Sequence, residues 1–149
     1  MIKVPSVKDC NLINLPKFED ERGNLTFLEN SSHIPFDITR IYYLYGIPKN
    51  QERGSHAHKK LSQIIIAISG NFDITLKDGF NEKKINLSRP DQALYICPMI
   101  WRDLNNFSED AVCMVLASRK YEKEDYIHNY ENYTKEIQNF SCPFVFVLY

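Results

Sequence analysis

The sequence predicts an all-β fold, a sandwich or barrel of short strands closed by one C-terminal helix. Three observations carry this. Short apolar or alternating runs recur between turn signals from residue 25 to residue 117. After Ser118 the spacing of apolar residues changes to that of a helix. The 149 residues suit one domain and suffice to bury a core without disulfides or a metal. One domain over 1–149 is expected, with the barrel at about 8–118 and a helix and tail at about 121–149.

The elements follow in order. Residues 25–29 form a strand after the Glu21-Arg22-Gly23 turn. Residues 39–46 (TRIYYLYG) are aromatic and β-branched and stop at Ile47-Pro48. Residues 61–68 contain Ile64, Ile65 and Ile66 and read as a buried strand, broken by Gly70. Phe72, Ile74 and Leu76 then alternate with Asp73, Thr75 and Lys77, the period of a half-buried strand. Asp78-Gly79 is a tight hairpin signal, with the return strand at 84–87. Residues 93–96 end before Pro98, and 111–117 (AVCMVLA) make a last core strand. Tyr126, Tyr130, Tyr133, Ile137 and Phe140 are spaced four, three, four and three apart, one packing face of a helix. The apolar run 143–149 needs a partner, in the body of the protein or in another subunit.

Composition removes several functions. A net charge of −1 argues against a nucleic-acid binder. The first 17 residues lack the apolar core of a signal peptide, and no run approaches the ~20 apolar residues of a membrane span. Cys10, Cys97, Cys113 and Cys142 are far apart, as expected of reduced thiols in the cytoplasm.

The chemistry concentrates in Arg53-Gly54-Ser55-His56-Ala57-His58, with Gln63 and Gly70 following. Histidines two apart on a strand face the same way. The pattern H-x-H-x4-Q-x6-G resembles the first motif of the cupin superfamily of small jelly-roll barrels. Metal cupins carry a Glu where this chain has Gln63, and a third His in a second motif that here reads Tyr95 to Asp103 without histidine. Arg102 would repel a cation, so no metal is expected. A metal cupin would need His56, His58 and Asp103 as its donors. Paired imidazoles without metal suit proton transfer near neutral pH. His33 and His128 are expected in solvent.

Further blocks extend the likeness: Glu21-Arg22-Gly23-Asn24-Leu25, residues 35–43, Trp101-Arg102, residues 115–118, and Asp125-Tyr126-Ile127. Together they resemble the dTDP-4-keto-6-deoxyglucose 3,4-ketoisomerases over about residues 8–133. The resemblance implies conversion of a dTDP-linked 4-keto-6-deoxyhexose to its 3-keto isomer through an enediol, without cofactor or metal, in making dideoxy amino sugars for surface polysaccharide such as O-antigen. It implies His56 as base at C3, His58 as its partner for proton transfer at C4 or its oxygens, and Tyr43 as donor to O3 or O4; Tyr42 has opposite strand parity, so only one of the two faces the interior, and which one is left open. Arg22, Arg53, Lys60, Gln63 and Arg102 would hold the substrate, with Trp101 stacked on thymine. A homodimer with exchanged N-terminal strands is implied, as is a galacto or gluco product; Arg at both 22 and 102 points to galacto. The alternatives are a sugar-nucleotide 3,5-epimerase, a metal-dependent cupin enzyme and a non-catalytic sugar-binding cupin.

Overall fold

Residues 3–141 are described by the structure, a computed structural model. Two five-stranded sheets face each other. The first runs, in spatial order, Leu12–Asn14 (β1), Gln92–Ile96 (β9), Gln63–Ser69 (β6), Val112–Ala117 (β11) and Arg40–Leu44 (β4). The second runs Tyr126–Ile127 (β12), Arg53–His58 (β5), Trp101–Asn105 (β10), Phe72–Lys77 (β7) and Glu82–Leu87 (β8). Lys17–Asp20 (β2) and Gly23–Thr26 (β3) form a separate hairpin, and Tyr130–Ser141 is the helix α1. All named pairs are antiparallel. The chain changes sheet at β4–β5, β5–β6, β6–β7, β8–β9, β9–β10, β10–β11 and β11–β12, the winding of a jelly roll.

Strand alternation sorts the core into three layers. Ile65, Phe72, Ile74, Leu76, Leu94 and Val115 fill the space between the sheets. Ile64, Ile66 and Leu116 point out of the first sheet, where Leu15, Ile34, Phe36 and Ile38 cover them. Ala57 and Trp101 point out of the second sheet under α1, which buries Tyr133 and Ile137 at helical spacing. The Asn129 side chain accepts from the Asn132 N–H at 2.9 Å and caps that helix.

The strands at 39–46, 61–68 and 72–77 lie where the sequence places them. Others differ. The strand expected at 25–29 pairs only as β3, because the chain turns away into a loop holding Ser31 at φ 65°. The three-residue β1 and the largely polar or mixed β2 and β10 give no apolar run to read. Tyr126 leaves the helical face and sits on β12. Cys10, Cys97 and Cys113 are free thiols. The run 143–149 and Cys142 lie outside the described residues. No described helix is long and apolar enough to cross a membrane.

Candidate active site

One end of the jelly-roll interior is polar, and the inward rows of four strands make it so. On β4 the inward residues are Arg40, Tyr42 and Leu44; on β5, His56 and His58; on β6, Gln63 and Ile65; on β10, Arg102 and Leu104. A cavity of about 380 Å³ opens among them, with Arg53, Val115 and Tyr126 completing its wall.

Arg53 and His56 are three residues apart, so simple alternation would put them on opposite faces. The β5–β10 register slips at Arg102/Asp103, and Gly54 (φ +83°) and Ser55 (φ 56°) form the kink that turns both inward. A Cβ on Gly54 would lie 3.0 Å from the Arg102 carbonyl oxygen. Gly54→Ala is therefore expected to cost about 1–2 kcal/mol from the left-handed backbone alone. Thermal denaturation should show the loss, and an unchanged Tm would contradict the kink's role.

The two histidines stand edge to face with their Nε2 atoms 3.1 Å apart. His56 faces the cavity, whereas His58 is fully buried behind it. His58 therefore does not line the cavity, contrary to the direct role expected of it, and meets that space only through His56. On its far side His58 Nδ1 lies 3.1 Å from an Asp125 carboxylate oxygen. Burial, then the Arg102 charge, holds the His56 pKa at about 4 against an ordinary 6.5. The same two causes push His58 downward too. Both rings are thus neutral near pH 7. At His56 the unfolded chain binds a proton below about pH 6.5, while the folded chain resists until about pH 4. Stability should therefore fall as pH drops through that window, a loss that a His56→Asn variant would lessen in a pH series of melting curves.

Behind the cavity runs a second chain of polar groups. The fully buried Arg102 donates to the Gln63 side-chain oxygen and, at 2.7 Å, to the Ile100 carbonyl. Neither partner carries charge. Burial lowers the Arg102 pKa, yet a guanidinium stays protonated at neutral pH. Because Arg102 only donates, Gln63 must turn its oxygen to it and its nitrogen to the Tyr42 hydroxyl, 3.0 Å away. Tyr42 accepts that bond, so its own O–H is free to donate into the cavity. Burial raises the Tyr42 pKa and keeps the phenol protonated. The glutamate of a metal cupin could not hold this arrangement, since a carboxylate only accepts.

Several expected site residues lie elsewhere. Tyr43 is 60% exposed on the outer face of β4, so of these two neighbours it is Tyr42 that faces the cavity. Trp101 packs against Tyr130 and Tyr133 under α1 and cannot stack on a ligand in the cavity. Asp103 shares that outer face, accepting from Ser55 and Trp101, so the two-histidine, one-carboxylate set is not assembled. Among the described residues no three His, Cys, Asp or Glu side chains gather to hold a metal. The exposed Lys60 contributes its backbone N–H to Asp125 and no side chain to the cavity. Arg22 sits at the β2–β3 turn, 85% exposed and paired with Asp20 at 2.6 Å, away from this chain's own cavity. His33 accepts from the Glu29 N–H, and His128 is exposed but stacks on Tyr126.

Three residues of the site, two on the cavity wall and one behind it, escape a reading of the sequence. Arg40 carries its signal in plain parity, two residues before Tyr42. Its Nε and one terminal nitrogen are buried with no hydrogen-bond partner among the described residues, while the guanidinium lies over the Tyr42 and Tyr121 rings. Tyr126 fits the helix stripe by spacing. Asp125 is 67 residues from His58 and has no local signal.

A jelly roll with a histidine and a phenol on its cavity wall, backed by a second histidine and a buried arginine, has the fold and the groups of a cupin-type proton-transfer site. The chain belongs to the family described as FdtA, WxcM-like, C-terminal, whose model matches residues 8–138. It is 41% identical over 126 residues to the TDP-4-oxo-6-deoxy-alpha-D-glucose-3,4-oxoisomerase of Aneurinibacillus thermoaerophilus, covering 85% of this chain and 91% of the relative. The 3,4-ketoisomerase QdtA of Thermoanaerobacterium thermosaccharolyticum, solved with TDP, superposes with a TM-score of 0.87 at 41% identity, covering 90% of this chain and 98% of that one. The WlaRB TDP-quinovose 3,4-ketoisomerase of Campylobacter jejuni superposes with a TM-score of 0.82 at 46% identity, covering 86% and 98%.

Proposed function

We propose that the protein is a 3,4-ketoisomerase that converts dTDP-4-keto-6-deoxyglucose to its 3-keto isomer by proton transfer through an enediol. The observation that carries the reading is a neutral His56 at the cavity wall, backed by His58 and Asp125. His56 takes the C3 proton, made acidic by the C4 carbonyl, and a proton returns to C4. The O3 hydroxyl proton is lost as O4 gains one. Tyr42 donates to the developing oxyanion, with the Arg102 charge felt through Gln63. Removing that donor by Tyr42→Phe should lower kcat about 100-fold. Tyr43→Phe should leave kcat within about twofold; equal losses would contradict the inward role of Tyr42.

The diphosphate requires cations, and Arg53 and the unpartnered Arg40 supply them at the cavity. The enzyme acts as a homodimer with exchanged N-terminal strands. Supporting this, the β2–β3 hairpin leaves Phe18 and Leu25 exposed, and β4 is a sheet edge with exposed Ile41 and Tyr43. Exchange would carry Arg22 to the partner's cavity. The work is cytoplasmic, in dideoxy amino sugar synthesis for surface polysaccharide. No metal takes part, because the neutral Gln63 is already bonded to Arg102 and Asp103 is turned away.

Incubation of purified protein with dTDP-4-keto-6-deoxyglucose tests the reading. It should yield a 3-keto product whose C4 configuration NMR reads directly, at a rate indifferent to chelators. Recovery of unchanged substrate, or activity lost on chelation and restored by a divalent ion, would overturn it.

A further inference from the structure

We infer that Asp125 is a positioning residue of this site: its carboxylate fixes the His58 proton on Nδ1 and leaves the Nε2 lone pair turned toward His56. The inference deepens the ketoisomerase reading and rests on His56 as its base. Asp125 is buried in the 3-10 turn Lys123–Asp125, just before β12. One carboxylate oxygen accepts from the Lys60 backbone N–H at 2.7 Å, and the other lies 3.1 Å from His58 Nδ1. The Asp125 carbonyl accepts from the Lys59 N–H at 2.9 Å, so the turn is tied to the end of β5 by its backbone as well.

A carboxylate accepts and does not donate, so the Nδ1 facing it carries the proton. The other edge of the ring agrees. Gln63 Nε2 stands 3.5 Å from His58 Nε2, and that nitrogen is a donor because Arg102 already occupies the Gln63 oxygen. His58 Nε2 is therefore the acceptor. When His56 gains a proton from carbon it becomes an imidazolium and donates its Nε2–H across the 3.1 Å gap to this lone pair. Asp125, bonded to His58 Nδ1, supports that acceptor and so steadies the charge held on His56. The segment after β11 thereby contributes twice: Tyr126 lines the cavity, and Asp125 sets the proton order behind it.

Asp125→Asn reverses that order without removing the side chain. The new amide oxygen must stay on the Lys60 N–H, which leaves the amide nitrogen facing His58 Nδ1. His58 then carries its proton on Nε2, aimed at His56, and cannot receive another there. We expect kcat to fall about 100-fold, within the range for loss of general-base support. KM and the affinity for dTDP should stay within about threefold. Long-range nitrogen–proton NMR of histidine-labelled protein supplies a readout that a merely structural role would not move. His58 should be the neutral Nδ1–H tautomer in the wild type and the Nε2–H tautomer in Asp125→Asn. A wild-type His58 found as the Nε2–H tautomer or as an imidazolium overturns the inference, even if the variant fails to fold. So does an Asp125→Asn enzyme with kcat within about threefold of wild type. The tautomer needs no substrate, so a wild type that does not isomerise the sugar nucleotide would sink the ketoisomerase reading and leave this result standing.

Discussion

His56→Asn yields a protein that folds and binds dTDP but isomerises about a thousandfold more slowly, in keeping with loss of a positioned general base. Asn is shorter than His and stays neutral, so the half-buried position tolerates it. No carboxylate loses a partner, because Asp125 contacts His58 and not His56. Binding persists because the groups proposed to hold the diphosphate, Arg40 and Arg53, lie on other strands or beyond the Gly54 kink. Paired measurements of turnover and dTDP affinity check it. Near-wild-type turnover would remove His56 from the base role, and lost binding would make its role structural.

Gln63→Glu is the second large effect, though it changes only one side-chain atom. The ionised carboxylate it introduces forms an ion pair with Arg102 and neutralises the one fully buried cation among the described residues. That carboxylate also cannot donate to Tyr42, so the phenol turns its proton back to it and away from the cavity. Both changes withdraw stabilisation from the enediolate, and kcat should fall at least about 100-fold. Melting temperature should hold or rise, since a buried guanidinium gains a charged partner. Turnover within about threefold of wild type would mean that the Arg102–Gln63–Tyr42 chain does not act on the reaction.

Much of this site is legible in the sequence because parity is legible. His56 and His58 face one way from spacing alone, and Arg102 takes the inward place in the second motif. Tyr43 is not separable from Tyr42 in the same way. An edge strand with Ile41, Tyr43 and Tyr45 outward and Arg40, Tyr42 and Leu44 inward has no clear apolar side. Parity counted from Arg102 puts Trp101 on the helix side of β10. Resemblance places Arg53 in the cavity; strict alternation would deny it, and the Gly54 kink explains why it is there. Asp125 lies beyond any local pattern, since only the return of the chain as β12 beside β5 brings it to His58. Tyr126 fits helical spacing by coincidence of register. In the fold, the interior strands announce themselves by apolar runs. The short β1 and the polar or mixed β2 and β10 form because neighbours supply the ladder, which no single segment records.

At the centre stands the claim that this cavity moves hydrogen between C3 and C4 and leaves C5 alone. Running the reaction with dTDP-4-keto-6-deoxyglucose in D₂O and following the sugar ring by proton NMR tests it most directly. The expected result is a 3-keto product whose C5 proton keeps full intensity. Deuterium at C5, as a 3,5-epimerase would introduce, or a spectrum that remains that of the 4-keto substrate, would contradict it.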